Sequence, residues 1–330
     1  MEKGLVSIIT PCYNGEEYLN RYFESIMNQT YPNIEIIFIN DGSRDKTEEI
    51  AIEYGEKLKQ RGYAFTYIYQ ENAGQAAAIN KGLKLFKGEY LTWPDSDDTL
   101  TNDAIEKKVQ FLKENDSYAF VRNPANIIDS DNGAVIGTLE TKHTPANEKI
   151  FKDLIFVNDI WFVPGCYMVK TEEFLKVNKK REIYISRGGQ NWQMLLPMAY
   201  YFRCGYLDEK LCNYYYRNNS HSHIVQADKL KELERVSTQK DILINTLDTL
   251  DKEQEYKKSL DVYYEKRKLE IAYKYKDKEL SKNIYYLLKK DKSLDFKTRI
   301  KILMIKYEII DKIIIILQKF KRKLVGVKWI

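Results

Sequence analysis

Short apolar runs alternate with amphipathic segments through the first third of the chain. Residues 6–10 and 34–39 are runs of mainly apolar residues, each ended by a proline or a polar turn. Residues 18–28 and 46–59 instead carry apolar side chains at helical spacing. This alternation is typical of parallel strands joined by crossover helices.

The alternation continues with strand-like residues 65–69 and 89–93 and with helical residues 75–86 and 103–114. It predicts an α/β domain with a mostly parallel sheet and helices on both faces. Ligands bind such sheets outside the carboxyl ends of the strands. Four polar segments follow the predicted strands and should meet at that edge: residues 10–14, 40–43, 70–74 and 94–98.

From about Asp228 the chain becomes rich in Lys, with Leu, Ile and Tyr at helical spacing. We therefore expect the α/β domain to occupy residues 1–225 and an all-helical appendage to occupy residues 226–330. No apolar run reaches the roughly 20 residues needed to span a bilayer. No basic and then apolar leader opens the chain, so we expect a cytoplasmic protein.

The composition is that of a globular protein, with 44% hydrophobic and 31% charged residues. The four cysteines have the spacing of neither a zinc knuckle nor a disulfide framework. Charge is uneven, because residues 1–223 carry 26 basic and 31 acidic side chains whereas residues 224–330 carry 27 and 17. A partner that needs positive charge would therefore meet the C-terminal region.

Residues 297–330 combine ten basic and two acidic side chains with apolar residues at helical spacing. Such a helix could pack against its own domain or against a second copy, giving a homo-oligomer. It could instead make a peripheral contact with the inner face of the plasma membrane, its basic side chains near anionic headgroups. The pattern leaves both uses open. Nucleic acid is not favoured, because the lysines are spread around the helices.

Candidate chemistry begins with Asp95, Asp97 and Asp98, which follow the strand-like run that ends at Trp93. Carboxylates crowded at a strand end repel one another unless a cation neutralises them, so they are candidate ligands of a divalent metal. An ordinary helix cap is the alternative interpretation.

Two further segments suit a nucleotide. Asp41 follows the second predicted strand, where its carboxylate could accept a hydrogen bond from a base N–H or form an Asx turn. Gly74 lies at a strand-to-helix junction, where small residues let a phosphate or another backbone approach closely. The first loop lacks the G-x-G-x-x-G pattern, which argues against a dinucleotide-dependent oxidoreductase.

Together these segments resemble the family 2 glycosyltransferases of the GT-A fold, of the type that builds bacterial surface glycans or glycoproteins. The order and spacing of four motifs match over residues 5–225: Pro11-Cys12-Tyr13-Asn14, Asp41-Gly42-Ser43, Asn72-Ala73-Gly74 with Asn80, and Gly88-Glu89-Tyr90 leading into Asp95-Ser96-Asp97-Asp98. The resemblance implies an inverting, metal-dependent transfer of a hexose or N-acetylhexosamine from a UDP-sugar. The acceptor would be a glycan, a glycolipid or a glycoprotein.

The resemblance also implies roles for single residues. Asp97 would bind Mn²⁺ or Mg²⁺ on the diphosphate, where the metal neutralises charge that develops on the leaving group. Asp41 would pair with the base. The other residues implied in binding the nucleotide sugar are Thr10, Pro11, Tyr13, Asn72, Gly74, Asp95 and Ser96.

A histidine near the end of the domain usually adds a further metal ligand in the resembling family. This chain offers His221 as the first choice and His223 as the second. Two histidines of an ordinary surface loop remain the alternative interpretation.

One position departs from the family pattern. The carboxylate that usually acts as general base corresponds to Gln190 and Asn191, and neither amide can accept a proton at neutral pH. Asp98 or Asp159 could take that role instead, or the acceptor is deprotonated in another way, or activity is reduced. The last case motivates a second hypothesis, a catalytically weak homologue that binds nucleotide sugars as a scaffold or partner subunit.

Trp161, Gln190 and Trp192 lie near these motifs in the sequence and are candidate contacts of the acceptor. The aromatic rings suit stacking on sugars, and they suit the protein core equally well. No local motif defines the sugar, the acceptor or the linkage.

Overall fold

The structure is a computed structural model that describes residues 1–186, 189–217, 228–250 and 253–307. It divides into two compact units. The first unit comprises Met1–Ser220 with Ile242–Asp251, and the second comprises His221–Asp241 with Lys252–Ile330.

The strands lie in the first unit. In chain order they are β1 (Glu2–Cys12), β2 (Ile34–Asp41), β3 (Ala64–Gln70), β4 (Gly88–Thr92), β5 (Thr99–Leu100), β6 (Phe120–Arg122), β7 (Ala125–Asp129), β8 (Val135–Leu139), β9 (Tyr167–Lys170), β10 (Cys204–Tyr206) and β11 (Cys212–Tyr216).

The helices include the four predicted between residues 18 and 114 and three, between residues 151 and 201, that were not predicted. In chain order they are α1 (Leu19–Met27), α2 (Thr47–Gln60), α3 (Gln75–Leu85), α4 (Ala104–Glu114), α5 (Phe151–Phe156), α6 (Thr171–Val177), α7 (Gln190–Tyr201), α8 (Lys229–Leu247), α9 (Glu253–Lys274), α10 (Lys278–Lys290) and α11 (Phe296–Lys306).

The central sheet has the strand order β10-β6-β9-β4-β1-β2-β3 in the described part of the chain. β9 runs antiparallel to β4 and β6, whereas β1 pairs in parallel with both β2 and β4. The crossovers through α1 and α2 move outward from β1 to β3, and the crossover through α3 returns to β4. Because such crossovers are right-handed, α3 lies on the face opposite α1 and α2. The predicted mostly parallel α/β sheet is confirmed.

The two faces of the sheet bury different side chains. Phe38 of β2 packs against Phe23 of α1, with ring centroids 5.3 Å apart. On the opposite face Gly82 of α3 lies so close to Ile9 of β1 that an added Cβ would stand 2.4 Å from its Cγ2. All eight residues of β2 are buried, as expected for a central strand.

A second, four-stranded sheet has the order β5-β11-β7-β8. β5 follows Asp98 directly, and β11 pairs antiparallel to it through Cys212↔Leu100 and Asn213↔Thr99. This pairing brings the end of β11 beside the end of β4.

In the second unit, helices α9, α10 and α11 share an apolar core of Leu269, Ala272, Ile284, Leu288 and Ile305. The predicted C-terminal helices are confirmed. No helix in the described ranges is long and apolar enough to cross a membrane.

Candidate functional site

The loops after β1 and β2 are joined to each other by hydrogen bonds. The Asn14 backbone N–H donates to Ser43 Oγ at 2.9 Å, and the Arg44 N–H donates to Asn14 Oδ1 at 3.0 Å. Gly42 adopts φ +73, and a Cβ there would lie 2.6 Å from the Asn72 backbone nitrogen. This position therefore requires glycine for both its conformation and its close approach.

Asp41 holds the loop that leads into α3. Its buried carboxylate accepts hydrogen bonds from Gln70 Nε2 at 2.6 Å and from the backbone N–H groups of Ala73 and Gly74 at 2.9 Å each. Asn72 Nδ2 donates to the Asp41 carbonyl oxygen at 2.9 Å. Asp41 thus shapes the predicted nucleotide loop, and its pairing with a base stays a prediction.

Three residues at the end of β1 are the other predicted contacts of the base. Thr10 is fully buried and hydrogen-bonded to the Tyr22 hydroxyl, and Pro11 is buried too. Tyr13 leaves 48% of its surface exposed. Among these three, Tyr13 is therefore the side chain that can offer a ring to a base.

The carboxylates after β4 converge. Ligand oxygens of Asp95, Asp97 and Asp98 all lie within 4.8 Å of one another. Gln75 Nε2 donates to Asp95 Oδ1 at 2.6 Å, and the Tyr215 backbone N–H donates to Asp98 Oδ1 at 3.0 Å. Asp97 forms an ion pair with Arg217. The cluster thus receives hydrogen bonds from both α3 and β11.

The electrostatics of this carboxylate cluster are unfavourable without a cation. Burial, together with the charge of Asp97, raises the pKa of Asp95 to about 8. Burial and then Asp97 also hold the pKa of Asp98 well above its usual value. The cluster therefore carries a penalty for its own negative charge.

The cluster fits a divalent metal. It offers carboxylate oxygens, the donors that Mg²⁺ and Mn²⁺ prefer, although the Arg217 guanidinium already pairs with Asp97 and would have to give way to an ion there. Asp95, Asp97 and Asp98 are the residues that would hold the ion. Ser96, a predicted ligand of the nucleotide sugar, lies between Asp95 and Asp97 in the sequence and is buried.

Two arginines of the site were missed from the sequence. Arg21 of α1 donates from Nη2 to the Asp97 carbonyl oxygen at 2.9 Å, and its guanidinium lies 3.9 Å from the centroid of the Tyr215 ring. Arg217 lies 4.9 Å from the centroid of Tyr18. The only sequence signal for Arg217 was its place after the tyrosines that end β11, and no local sequence pattern relates that segment to Asp97.

Asn191, at the position of the family's base, is held on both sides of its amide. Its Oδ1 accepts from Trp93 Nε1 at 2.9 Å, and its Nδ2 donates to the Phe162 carbonyl oxygen at 3.0 Å. Asn191 leaves only 7% of its surface exposed. These contacts need one acceptor and one donor, which an amide supplies and a carboxylate does not.

The candidate acceptor contacts are buried as well. Trp192 donates to the Leu154 carbonyl oxygen at 2.8 Å, and Trp161 donates to that of Asn123 at 3.2 Å. Gln190 is also buried. The positions favour the core interpretation of the two rings, which the sequence left open, and contact with an acceptor stays a prediction.

The candidate bases have partners of their own. Asp98 leaves 3% of its surface exposed. The carboxylate of Asp159 accepts from the Thr141 hydroxyl and from the Lys142 backbone N–H. Burial acts to raise the pKa of Asp159, but these hydrogen bonds and the nearby His143 lower it overall. His221 and His223 lie outside the described residues.

The first unit contains several cavities. One of about 420 Å³ is open to solvent and is lined by residues that include Asn14, Tyr18, Arg44 and Arg217, so it adjoins the carboxylate cluster through the ion pair of Arg217 with Asp97. Another of about 860 Å³ is lined by residues that include Lys176, Ile183 and Tyr184 and by parts of α7 and α8, far along the chain from the cluster. The clustered carboxylates themselves line neither of these two cavities. We therefore associate the smaller cavity with the candidate site.

Sequence comparison identifies the family to which the chain belongs. The family model described as Glycosyl transferase family 2 matches residues 7–173, just over half of the chain. The chain therefore belongs to glycosyl transferase family 2. The match spans β1 to β4 and the carboxylate cluster.

A curated relative is an uncharacterized glycosyltransferase of Rickettsia typhi, 46% identical over 113 residues. The matched part covers 34% of this chain and 33% of the relative, so the chain spans about a third of that protein's length. The matched relatives thus share a segment rather than their full length with this chain.

Solved structures with a similar fold cover nearly the whole chain. Staphylococcus aureus TarS residues 1–349, in complex with UDP-GlcNAc, matches with a TM-score of 0.57 at 17% identity, over 92% of this chain and 91% of that one. The mannosyltransferase PcManGT of Pyrobaculum calidifontis, in complex with GDP-Man and Mn²⁺, matches with a TM-score of 0.55 at 16% identity, over 93% and 86%. At these identities the similarity shows the fold, which is that expected of GT-A proteins.

Proposed function

We propose that this chain transfers a hexose or N-acetylhexosamine, with inversion, from a UDP-sugar to a glycan, glycolipid or glycoprotein acceptor in bacterial surface polysaccharide or glycoprotein synthesis. The observation that carries the proposal is the convergence of Asp95, Asp97 and Asp98 beside the loop that Asp41 holds. This arrangement provides acidic metal ligands next to a strand-end loop suited to a nucleotide.

In this proposal Tyr13 and Asp41 bind the base, and Asp95, Asp97 and Asp98 hold Mn²⁺ or Mg²⁺. A bound metal would neutralise charge on the departing nucleoside diphosphate. An acceptor hydroxyl attacks the anomeric carbon from the face opposite the diphosphate. The new carbon–oxygen bond forms as the bond to the phosphate oxygen breaks, so the configuration inverts.

The attacking hydroxyl must lose a proton, and Asn191 cannot accept it. Asp159 is a candidate acceptor within the chain, and Asp98 is one only where it does not hold the metal. Both are largely buried, so an approach of the acceptor to either requires the adjoining loops to move.

The fixed amide of Asn191 favours a second candidate function, a catalytically weak homologue that binds nucleotide sugars as a scaffold or partner subunit. A side chain that joins Trp93 to the Phe162 carbonyl has a structural task in place of the catalytic one. Donor binding would then persist without useful transfer.

Calorimetry of UDP binding with and without Mn²⁺ tests the shared part of both functions. We expect Mn²⁺ to strengthen UDP binding in the parent and not in Asp97→Asn. The control Asp116→Asn removes the same charge from an aspartate whose side chain is 99% exposed. If neither the parent nor the control variant binds UDP, both proposed functions are wrong.

A scan of UDP-sugars then separates the two functions. Metal-dependent release of UDP, increased by an acceptor, supports transfer. Tight binding without release across sugars and acceptors supports the scaffold.

We also propose a catalytic domain over residues 1–225 in a cytoplasmic protein. Residues 226–330 would contact a second copy or the inner face of the membrane. Sedimentation of the full chain, with and without vesicles, distinguishes these contacts.

A further inference from the structure

A basic cavity of about 440 Å³ lies in the second unit, between the end of α10 and the middle of α11. Its lining residues are Tyr285, Lys289, Lys292, Leu294 and Arg299. Three of the five are cationic, and none is acidic. The cavity thus has the charge and size for an anionic group such as a phosphate.

The nearest acids along the chain have other cationic partners. Asp291 pairs with Lys258 at 3.3 Å, and Asp295 pairs with Lys266. Among the described residues Lys289, Lys292 and Arg299 form no ion pair with a carboxylate. Their charges are therefore available to a ligand.

Helix electrostatics explain only part of this pattern. Lys289 belongs to the last turn of α10, where a basic side chain stabilises the helix dipole. Lys292 follows the helix with φ +58, and Arg299 lies within α11. Convergence of all three on one cavity needs a further explanation.

Large apolar side chains are exposed on the two helices that line the cavity. Phe296 and Leu303 leave 76% and 43% of their surfaces exposed. Arg299 is three residues and Leu303 seven residues after Phe296, so the three side chains form a stripe on one face of α11. Tyr286 and Leu287 of α10 are 57% and 55% exposed. Positive charge and unburied apolar surface thus occur together.

We propose that the basic cavity and the exposed stripe of α11 form a binding surface for a bilayer that contains anionic phospholipids. Lys289, Lys292 and Arg299 receive a lipid phosphate, while Phe296 enters the boundary between headgroups and acyl chains. Charge complementarity selects this partner, since residues 224–330 carry 27 basic and 17 acidic side chains. A soluble acidic ligand would use the cations but leave the apolar side chains exposed.

Co-sedimentation of the full chain with vesicles tests the proposal. The vesicles contain phosphatidylcholine alone or with about a third phosphatidylglycerol. We expect binding only to the anionic vesicles. The triple variant Lys289→Gln, Lys292→Gln, Arg299→Gln should bind at least about tenfold more weakly, because each basic residue near the surface contributes roughly fivefold to the affinity. Phe296→Ser should weaken binding without a change of charge.

A matched control removes three positive charges from the other end of the same unit: Lys231→Gln, Lys276→Gln, Lys278→Gln. Lys278 and Lys289 are eleven positions apart on α10, roughly 16 Å along the helix. The control should retain most of the binding. Equal losses in the two triple variants, or no binding by the parent, would overturn the proposal. So would equal binding of the parent and Phe296→Ser to the anionic vesicles, since the apolar contact would then contribute nothing.

Discussion

Asn191 makes two buried hydrogen bonds at the position where the resemblance implies a catalytic base. The change Asn191→Asp places a carboxylate oxygen against the Phe162 carbonyl oxygen and removes a hydrogen bond. We expect unfolding to become easier by about 1–3 kcal/mol, the usual cost of leaving a buried polar group unpaired. Thermal and urea unfolding measure this effect.

Transfer assays on the same variant decide what the amide does for catalysis. We expect no gain in UDP release at neutral pH, because the new carboxylate would be buried. An unchanged melting temperature together with several-fold faster release would contradict us. It would show that the site accepts a base at position 191.

Arg217 forms an ion pair with Asp97, so its guanidinium should compete with a metal ion for that carboxylate. We expect Arg217→Gln to bind Mn²⁺ about fivefold more tightly without nucleotide, the size of one half-exposed ion pair. Arg44→Gln is the control, since Arg44 lines the same 420 Å³ cavity and has no described bond to the clustered carboxylates. Manganese titration followed by electron paramagnetic resonance measures both. Equal affinities in parent and Arg217→Gln would exclude competition.

The sequence predicted the acidic half of this site and missed the basic half. Asp95, Asp97 and Asp98 are contiguous after a buried strand, so their convergence follows from local pattern. Arg217 is 120 positions from Asp97, and its approach depends on β11 pairing with β5. Such a contact follows from tertiary pairing, which local periodicity does not report.

At the scale of elements, Asp295 both caps the start of helix α11 and forms an ion pair. The Asp295 carboxylate accepts the Thr298 backbone N–H at 2.8 Å and pairs with Lys266. The Lys266 bond, followed by that of Thr298, lowers the pKa of Asp295. A carboxylate whose pKa is lower in the folded than in the unfolded protein stabilises the folded state. The stabilisation is complete at a pH above the unfolded pKa of about 4, and it is lost as the pH falls toward the folded pKa.

Two substitutions separate the cap from the charge. Asp295→Ala should lower the protection of residues 296–306 by about 1 kcal/mol at pH 7, the cost of losing a cap. Asp295→Asn keeps a good cap, so its protection at pH 7 should fall less and should change little between pH 5 and pH 3. Hydrogen exchange of α11 measures both, and identical pH profiles for parent and Asp295→Asn would refute the assignment.

The predicted elements were those with strong local patterns. β1 to β4 and α1 to α4 were predicted because each is a strand-like run or a helix-spaced segment of at least five residues. The second sheet was not predicted, since β5 has only two residues and β11 pairs with strands far from it in the sequence, as in Cys212↔Ala125. Local periodicity does not report pairing of that kind.

At the scale of the molecule, the boundary predicted near residue 225 coincides with a change in composition, but the compact units divide the chain differently. Residues 242–251, which include the last part of α8, group with the first unit. A Cβ added at Gly189 would lie 2.7 Å from Ile242 Cδ1, so this helix packs on the start of α7. The amino-acid composition could not indicate this division, because it falls within α8, which has the pattern of one continuous helix.

The grouping predicts how truncation affects stability. A chain ending at residue 225 loses Ile242, Leu243, Leu247 and Leu250, each at most 6% exposed. Burial of one such side chain contributes about 1.5–3 kcal/mol, so the loss of all four is comparable to the whole stability of a typical domain, about 5–15 kcal/mol. We expect residues 1–225 to aggregate or melt far below residues 1–251, which keep these contacts. Both chains retain every residue of the carboxylate cluster, so calorimetry of thermal unfolding compares packing alone. Equal melting temperatures would show that residues 242–251 add nothing to the first unit and would favour a catalytic domain that ends near residue 225.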